Sequence, residues 1–349
     1  MAGWKPRAVS LFSGMGGMDL GFQRAGMKIV LETDNDPRCI ETLRANGMSK
    51  TVLPADLFHI DGATLLRKAG LHKGDVDVVF GGPSCQPFSR SNEGRRKGIK
   101  DPRGRLVFEF SRIVHELQPK AFVMENVRGL VSSNGGRDLQ LLERRFRRMG
   151  YHVSSFVLNA ADYGVPQSRH RLFIVGLEGN ITPTPPRPTH APRDSPRKGL
   201  KAHVTTREAI GKLDDGVNRK GAETVGGMYG HLMDAIPPGM NYLYYTSRYN
   251  RKKPLFRWRS KFWTFLLKMD PARTSHTIQA TPGPYVGPFH WRNRRLTLEE
   301  IRRLQGIPAS WKVRGKSRPE YTSAAWRQVG NAVPPLLATA VATSIKECL

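Results

Sequence analysis

The chain has 349 residues, 39% of them hydrophobic, enough to bury a sizeable core and to suit two domains. Its 56 Lys and Arg against 29 Asp and Glu give a formal charge of +27, which points to a polyanionic partner. No apolar run of 18 residues and no basic amphipathic helix can be read from the sequence, so a membrane span or surface anchor is excluded as the reason for that charge.

The first stretch, Met1 to Val9, lacks the apolar centre of a signal peptide, and a cytoplasmic protein is expected. Arg7 to Phe12 reads as a strand, Ser13 to Gly17 as a turn opening a helix through about Ala25, and Lys28 to Glu32 as a second strand. This is a βαβ unit with a glycine-rich first turn. The third glycine of the dinucleotide fingerprint is replaced by Asp19, which disfavours a pyrophosphate and suits a nucleoside ligand. Asp34 follows Gly14 by 20 residues, the interval at which an acid meets ribose hydroxyls. Asp56 follows another strand end. For both acids, helix or turn capping is the competing role, and Asp36-Pro37 does look like a helix start.

The run Val76 to Phe80 is short, β-branched and bounded by glycine, as a buried parallel strand should be. It leads into Gly81-Gly82-Pro83-Ser84-Cys85-Gln86-Pro87-Phe88-Ser89. Cys85 thus stands on a tight turn at the carboxyl edge of a sheet, where open α/β sheets place ligands. A small buried apolar residue is the alternative for a lone cysteine. Arg90 to Gly104 is polar, basic and glycine-bearing, a loop placed to serve as a lid. A further apolar strand, Phe122 to Val127, carries Glu125 to the same edge. Gln167-Ser168-Arg169-His170-Arg171 precedes the run Leu172 to Val175. On a strand, Arg169 and Arg171 leave one face together.

Ile181 to Pro196 is proline-rich and reads as a linker. Residues 180–295 carry 21 Lys or Arg against 7 Asp or Glu, interleaved with aromatics from Tyr242 to Trp263. Most of Phe262, Trp263 and Phe265 are expected in the core of a small domain. After Pro335 the apolar pattern is helical. The three cysteines, Cys39, Cys85 and Cys348, show neither a disulfide framework nor zinc spacing, and no metal is expected.

Taken in order, Phe12-Ser13-Gly14-Met15-Gly16-Gly17, Pro83-Ser84-Cys85-Gln86, Glu125-Asn126-Val127, the Gln167 to Arg171 string, Arg295-Leu296-Thr297 through Arg303-Leu304-Gln305-Gly306, and Gly330-Asn331-Ala332-Val333-Pro334 resemble the cytosine carbon-5 DNA methyltransferases over nearly the whole chain. Ser84 departs from the family's more usual second proline. The resemblance implies a Rossmann-like, S-adenosylmethionine-dependent methyltransferase sheet of α/β class with a second, smaller DNA target-recognition domain. It implies a catalytic and cofactor-binding domain over residues 1–180 plus 324–349, and a target-recognition domain over 181–323. It assigns catalysis to Cys85, Glu125, Arg169 and Arg171. For the cofactor it implies Phe12, Gly14, Met15, Gly17, Asp34 (ribose), Asn35, Asp56 (adenine amino group), Leu57, Pro83, Leu106, Asn331 and Ala332.

The chemistry follows from these residues. A thiolate adding to carbon 6 of cytosine makes carbon 5 enamine-like, and a positive neighbourhood from Arg169 and Arg171 favours the thiolate. A protonated Glu125 neutralises charge at ring nitrogen 3 once burial by the base keeps it so. Arg90, Arg95, Arg96 and Lys97 in the lid, with Arg248, Lys252, Lys253, Arg257 and Arg259, are expected on DNA; Lys252 and Lys253 on phosphate, Arg257 and Arg259 on guanine edges. The expected protein is a monomer acting on double-stranded DNA, nucleoid-associated, prokaryotic or phage, with a cognate restriction endonuclease as a partner. A transfer-RNA cytosine-5 methyltransferase, a binding protein on a dead scaffold and a nicotinamide oxidoreductase are the alternatives.

Overall fold

The computed structural model describes residues 4–84, 86–88, 98–214, 223–249, 254–259 and 262–349. Two units emerge from the packing: Met1–Asn159 with His170–Pro188 and Val333–Leu349, and Ala160–Arg169 with Thr189–Ala332. The expected boundaries at 180 and 323 differ from these, and residues 160–169 belong to the second unit although their neighbours on both sides belong to the first.

The elements, in chain order, are β1 (Arg7–Leu11), α1 (Gly17–Arg24), β2 (Lys28–Asp34), α2 (Pro37–Asn46), β3 (Val52–Pro54), α3 (Gly62–Ala69), β4 (Val78–Gly81), α4 (Leu106–Leu117), β5 (Ala121–Val127), α5 (Arg137–Arg147), β6 (His152–Asn159), β7 (His170–Leu177), α6 (Thr206–Ile210), α7 (Leu298–Leu304), α8 (Ala324–Asn331) and α9 (Pro335–Lys346). The first unit's strands form one sheet in the order β3-β2-β1-β4-β5-β7-β6. Neighbours from β3 to β5 are parallel, and β7 runs antiparallel to both β5 and β6.

Strand alternation divides the core between two faces. On one, α1 stacks Phe22 on Phe80 of β4, with ring centroids 3.9 Å apart. There α1 also meets α9, and Gly21 permits the contact: a Cβ on it would lie 2.4 Å from the Ala338 Cβ. On the other face, α3, α4 and α5 bury Leu65, Phe110, Ile113 and Phe146 against Val79 and Phe122. Phe122 and Phe146 stack at 4.0 Å. Each such fully buried ring is worth about 1.5–3 kcal/mol. As the sequence anticipates, α2 begins at Asp36, whose side chain accepts from the Arg38 N–H, with Pro37 in the first turn.

The second unit has little regular structure: short turns, a two-residue ladder pairing His190–Ala191 with Lys201–Ala202, and α6, α7 and α8. Its core is aromatic. Tyr242, Tyr245, Leu266 and Phe289 are buried, and Tyr229, Phe256, Phe265 and Tyr285 pack against them. The expectation for Phe262 and Trp263 is corrected: they are 48% and 52% exposed, and only Phe265 of that trio reaches the core. Alternation of basic and aromatic residues did not reveal which rings turn inward, because these turns follow no helical or strand period. Arg294 forms a two-pronged pair with buried Glu300 at 2.9 and 2.8 Å, and Glu300 also closes the Thr297 capping box that starts α7. Among the described residues no helix is long and apolar enough to cross a membrane.

Candidate active site

The parallel strands deliver a row of side chains to one edge. The carboxyl ends of β3, β2, β1, β4 and β5 lead to Asp56, Asp34, the Phe12 to Gly17 turn, Pro83 and Glu125 in turn. Neighbouring strands lie about 4.8 Å apart, so Asp34 and Glu125 stand roughly 14 Å apart along the edge. Two consecutive sub-sites result, one centred on the glycine turn and one on Glu125.

At the glycine turn the backbone is left-handed at Phe12, Gly14 and Gly16, with φ of 53°, 57° and 85°. A Cβ on Gly14 would meet nothing within 4 Å, so open space lies beside it. Asp34 ties the turn down. Its Oδ2 accepts from the Gly14 N–H and its Oδ1 from the Asp36 N–H, both at 2.8 Å. The Asn35 N–H bonds the same carboxyl, so of its roughly four acceptor positions one remains for a ligand. Burial pushes the Asp34 carboxyl above its ordinary range. Asn35 and Asp56 are exposed, and Asp56 Oδ1 accepts from the Phe58 N–H at 3.0 Å, the turn-capping role. Leu57 and Pro83 are buried and Leu106 is half-buried, while Met15 and Gly17 are buried. An open, turn-lined space with apolar neighbours and a carboxylate with a spare acceptor position fits a nucleoside.

Sequence reasoning missed what lies beneath this turn. Asp19 and Glu32 are both fully buried. Burial pushes both carboxyls upward, with the charge of Asp19 adding to it at Glu32 and that of Asp34 adding to it at Asp19. Asp19 had been read only as a missing glycine. Its place between Met18 and Leu20, on the inward face of α1, was the available signal.

At the second sub-site Glu125 is 8% exposed. Arg171, on the antiparallel neighbour β7, places its Nε 2.8 Å from Glu125 Oε1. Gly82 makes room: a Cβ there would lie 2.8 Å from Glu125 Oε2. The next residue fixes the turn, since the Asn126 side-chain amide donates to the Pro83 carbonyl at 3.1 Å. This second role of the Glu-Asn pair was not read from the sequence. Cys85 lies outside the described residues, two positions past that anchored carbonyl. Beyond it, Phe88 is buried, and Gly129 lets its carbonyl approach, where a Cβ would sit 1.9 Å away. The Gln86 side chain takes a hydrogen bond from Arg103, which is itself paired with Asp101. In the expected lid, residues 98–104 form two short turns, Gly98–Lys100 and Pro102–Arg105.

One expectation is corrected here. Arg169 does not share a strand face with Arg171, because β7 begins at His170. Arg169 is 1% exposed in the second unit, where it donates to the carbonyls of Ile278, Gly330 and Asn331. That is a positioning use of the guanidinium.

Among the residues expected on DNA, Arg248, Arg257 and Arg259 are exposed, whereas Arg90, Arg95, Arg96, Lys97, Lys252 and Lys253 lie outside the described residues. Buried Tyr242 holds the backbone of Arg259 from both sides, its hydroxyl donating to the carbonyl and accepting from the N–H at 3.0 Å. Arg257, Trp258 and Arg259 project from that anchor. Asn331 and Ala332 close α8 in the second unit. Among the described residues no group of three His, Cys, Asp or Glu could hold a metal ion.

Residues 7–347 match the family model of the C-5 cytosine-specific DNA methylases. The type II methyltransferase M.SacI of Streptomyces achromogenes is 38% identical over 98% of this chain and 93% of its own length. M1.HphI of Haemophilus parahaemolyticus is 34% identical over 97% of this chain and 86% of its own. Among solved structures, a Spodoptera frugiperda DNMT2 mutant superposes with a TM-score of 0.66 at 17% identity, covering 98% of this chain and 99% of that one. The Entamoeba histolytica methyltransferase EhMeth gives 0.65 at 16%, over 99% and 100%. The chain therefore belongs to the C-5 cytosine-specific DNA methylases, a family of enzymes whose methyl donor is S-adenosylmethionine.

Proposed function

We propose that this protein methylates carbon 5 of a cytosine within a short sequence of duplex DNA, with Cys85 as the nucleophile. The observation that carries the reading is the Glu125–Arg171 pair, seated beside Gly82 at the end of β5, with Asn126 anchoring the turn that leads into Cys85. The thiolate adds to carbon 6 of the base, and the electron pair released from the 5,6 double bond makes carbon 5 nucleophilic. Arg171 holds Glu125 toward the base. Once the base excludes water, Glu125 takes a proton and gives it to ring nitrogen 3 as charge accumulates there, while its other oxygen holds the amino group. After methylation a water removes the proton from carbon 5, and the thiolate leaves carbon 6.

When bound, S-adenosylmethionine supplies an electrophilic methyl group. Asp34 would hold its ribose through its remaining acceptor position, Asp56 its adenine amino group, and Leu57, Pro83 and Leu106 its apolar faces, with Phe12, Gly14, Met15, Gly17 and Asn35 forming the turn around it. Arg169 acts by fixing the backbone at 278 and 330–331.

The first unit is proposed as the catalytic domain and the second as the target-recognition domain, working as a monomer. The type II DNA methyltransferase relatives support duplex DNA rather than transfer RNA as the partner, with the exposed Arg248, Arg257 and Arg259 and with Arg90, Arg95, Arg96, Lys97, Lys252 and Lys253 meeting its phosphates and base edges. The target base must leave the stack, at a cost of a few kcal/mol. The type II relatives support a cognate restriction endonuclease as a companion. Bisulfite sequencing of DNA from cells expressing the protein tests the reading. One short motif converted at one cytosine is the expected result; unmodified DNA together with methylated transfer RNA would overturn it.

A further inference from the structure

Helix α5 and its C-terminal cap carry five arginines in twelve residues: Arg137, Arg144, Arg145, Arg147 and Arg148. Every one of the five is exposed. Arg147 pairs with Glu143 at 3.1 Å, and Arg145 lies over the Phe108 ring at 5.9 Å. Among the described residues, Arg137, Arg144 and Arg148 make no ion pair. At 100° per residue these three fall within about 40° of one another on the helix, a single stripe roughly 16 Å long. On α4, Arg112 is matched by both Glu109 and Glu116 at 2.8 Å.

Complementing the helix dipole would need about half a charge at the C-terminus, and Arg147 with its neighbours exceeds it. Like charges three and four positions apart cost about 0.2–0.5 kcal/mol per pair, and Arg144 stands so placed to both Arg147 and Arg148. A merely solvated face has no reason to accumulate that repulsion. Leu141, on the same stripe, is 39% exposed, so the face is also not packed against the protein.

The stripe has a defined direction. Strands β5 and β6 are both antiparallel to β7, so they are parallel to each other, and α5 is the crossover between them. Its N-terminus therefore starts at the sheet edge that bears Glu125, and its basic end lies at the opposite edge. We infer that this flank of the first unit is a second contact surface for a nucleic-acid backbone, separate from the base-reading surface and indifferent to sequence. It rests on the duplex-DNA reading above. Its role is to keep the enzyme on the duplex between target sites by phosphate contacts alone.

The test is the salt dependence of binding to a duplex lacking the target motif, read by fluorescence anisotropy. The triple variant Arg137→Gln, Arg144→Gln, Arg148→Gln keeps helix-forming side chains. Each phosphate contact contributes about 0.9 to the slope of log affinity against log salt, so the slope should fall by about 2 to 3. A control triple, Arg24→Gln, Arg44→Gln, Lys50→Gln, removes the same charge from exposed positions elsewhere in the first unit. It should leave the slope nearly unchanged. Methylation of a short duplex carrying the target should persist in the α5 variant, which shows that the variant is folded. Equal slopes for wild type and the α5 variant, or equal losses in both triples, would overturn the inference. Failure of the wild type to bind duplex DNA at all would instead overturn the reading on which it rests.

Discussion

The methylase edge of the first unit and the arginine-bearing segment of the second reach rigidity by opposite routes. At the edge, parallel strands set the spacing, and each chemical group sits in the last three residues of a strand or on the short turn after it. In the second unit the chain around Arg257 to Arg259 has no regular element; its backbone is pinned by the hydroxyl of buried Tyr242 instead. Chemistry on one fixed base needs unchanging distances between groups, which a hydrogen-bonded sheet supplies. Reading a sequence needs side chains that can be exchanged without moving the core. A loop nailed to an aromatic cluster permits that.

The contrast is sharpest if the edge is broken chemically. Cys85→Ser should reduce methylation to background while duplex binding persists, and a 5-fluorocytosine duplex should trap a covalent adduct only with the wild type and cofactor present. Absence of the adduct in the wild type would remove the nucleophile assignment. Next comes the core of the second unit: Leu266→Ala, at a fully buried position, should cost about 2–5 kcal/mol by chemical denaturation. Trp263→Ala, at a half-exposed position, should leave stability within about 0.5 kcal/mol. If the two cost the same, the cluster is not what holds the loop.

Asp34→Ala should weaken S-adenosylmethionine binding by about tenfold or more, since a lost charge-assisted hydrogen bond is worth roughly 1.5–3 kcal/mol. Because Asp34 also ties Gly14 to Asp36, Asp34→Asn separates the roles: unchanged calorimetric affinity in both variants would reduce Asp34 to a loop tether. Arg257→Ala or Arg259→Ala should cost about 1–3 kcal/mol on the correct motif and relax one position of it. A uniform loss on all sequences would make that arginine a phosphate contact. The smallest effect concerns Glu32. Its carboxyl and that of Asp19 are pushed upward in the folded chain, which keeps protons that the unfolded chain has already released. Stability therefore declines as pH rises above the ordinary carboxylate range. Glu32→Gln should gain on the wild type between pH 5 and pH 8, by on the order of 1–2 kcal/mol. A constant difference across that range would show that the pair does not titrate.

The edge was legible because its signals are local. Glycines mark turns, apolar runs mark buried strands, and position at a strand's end implies position at the edge; Glu125, Asp34 and the glycine turn follow from those rules. Arg169 was misread because period-two logic was extended one residue before the strand begins. The Asp19–Glu32 pair and the Asn126–Pro83 bond were invisible for a different reason: each joins residues distant in sequence, and no spacing announces it. In the second unit no periodicity exists to sort Tyr242 inward and Trp263 outward. Only the packed structure separates them.

The topology of α9 carries a consequence for synthesis. The face of α1 that presents Phe22 is completed by a helix beginning at Pro335, more than three hundred residues later in the chain. A nascent chain emerges from the ribosome at about 5–20 residues per second, so that apolar face waits tens of seconds for its cover. A cell making this enzyme thus has a built-in delay between translating the first strands of the sheet and covering the apolar face that α1 presents to α9.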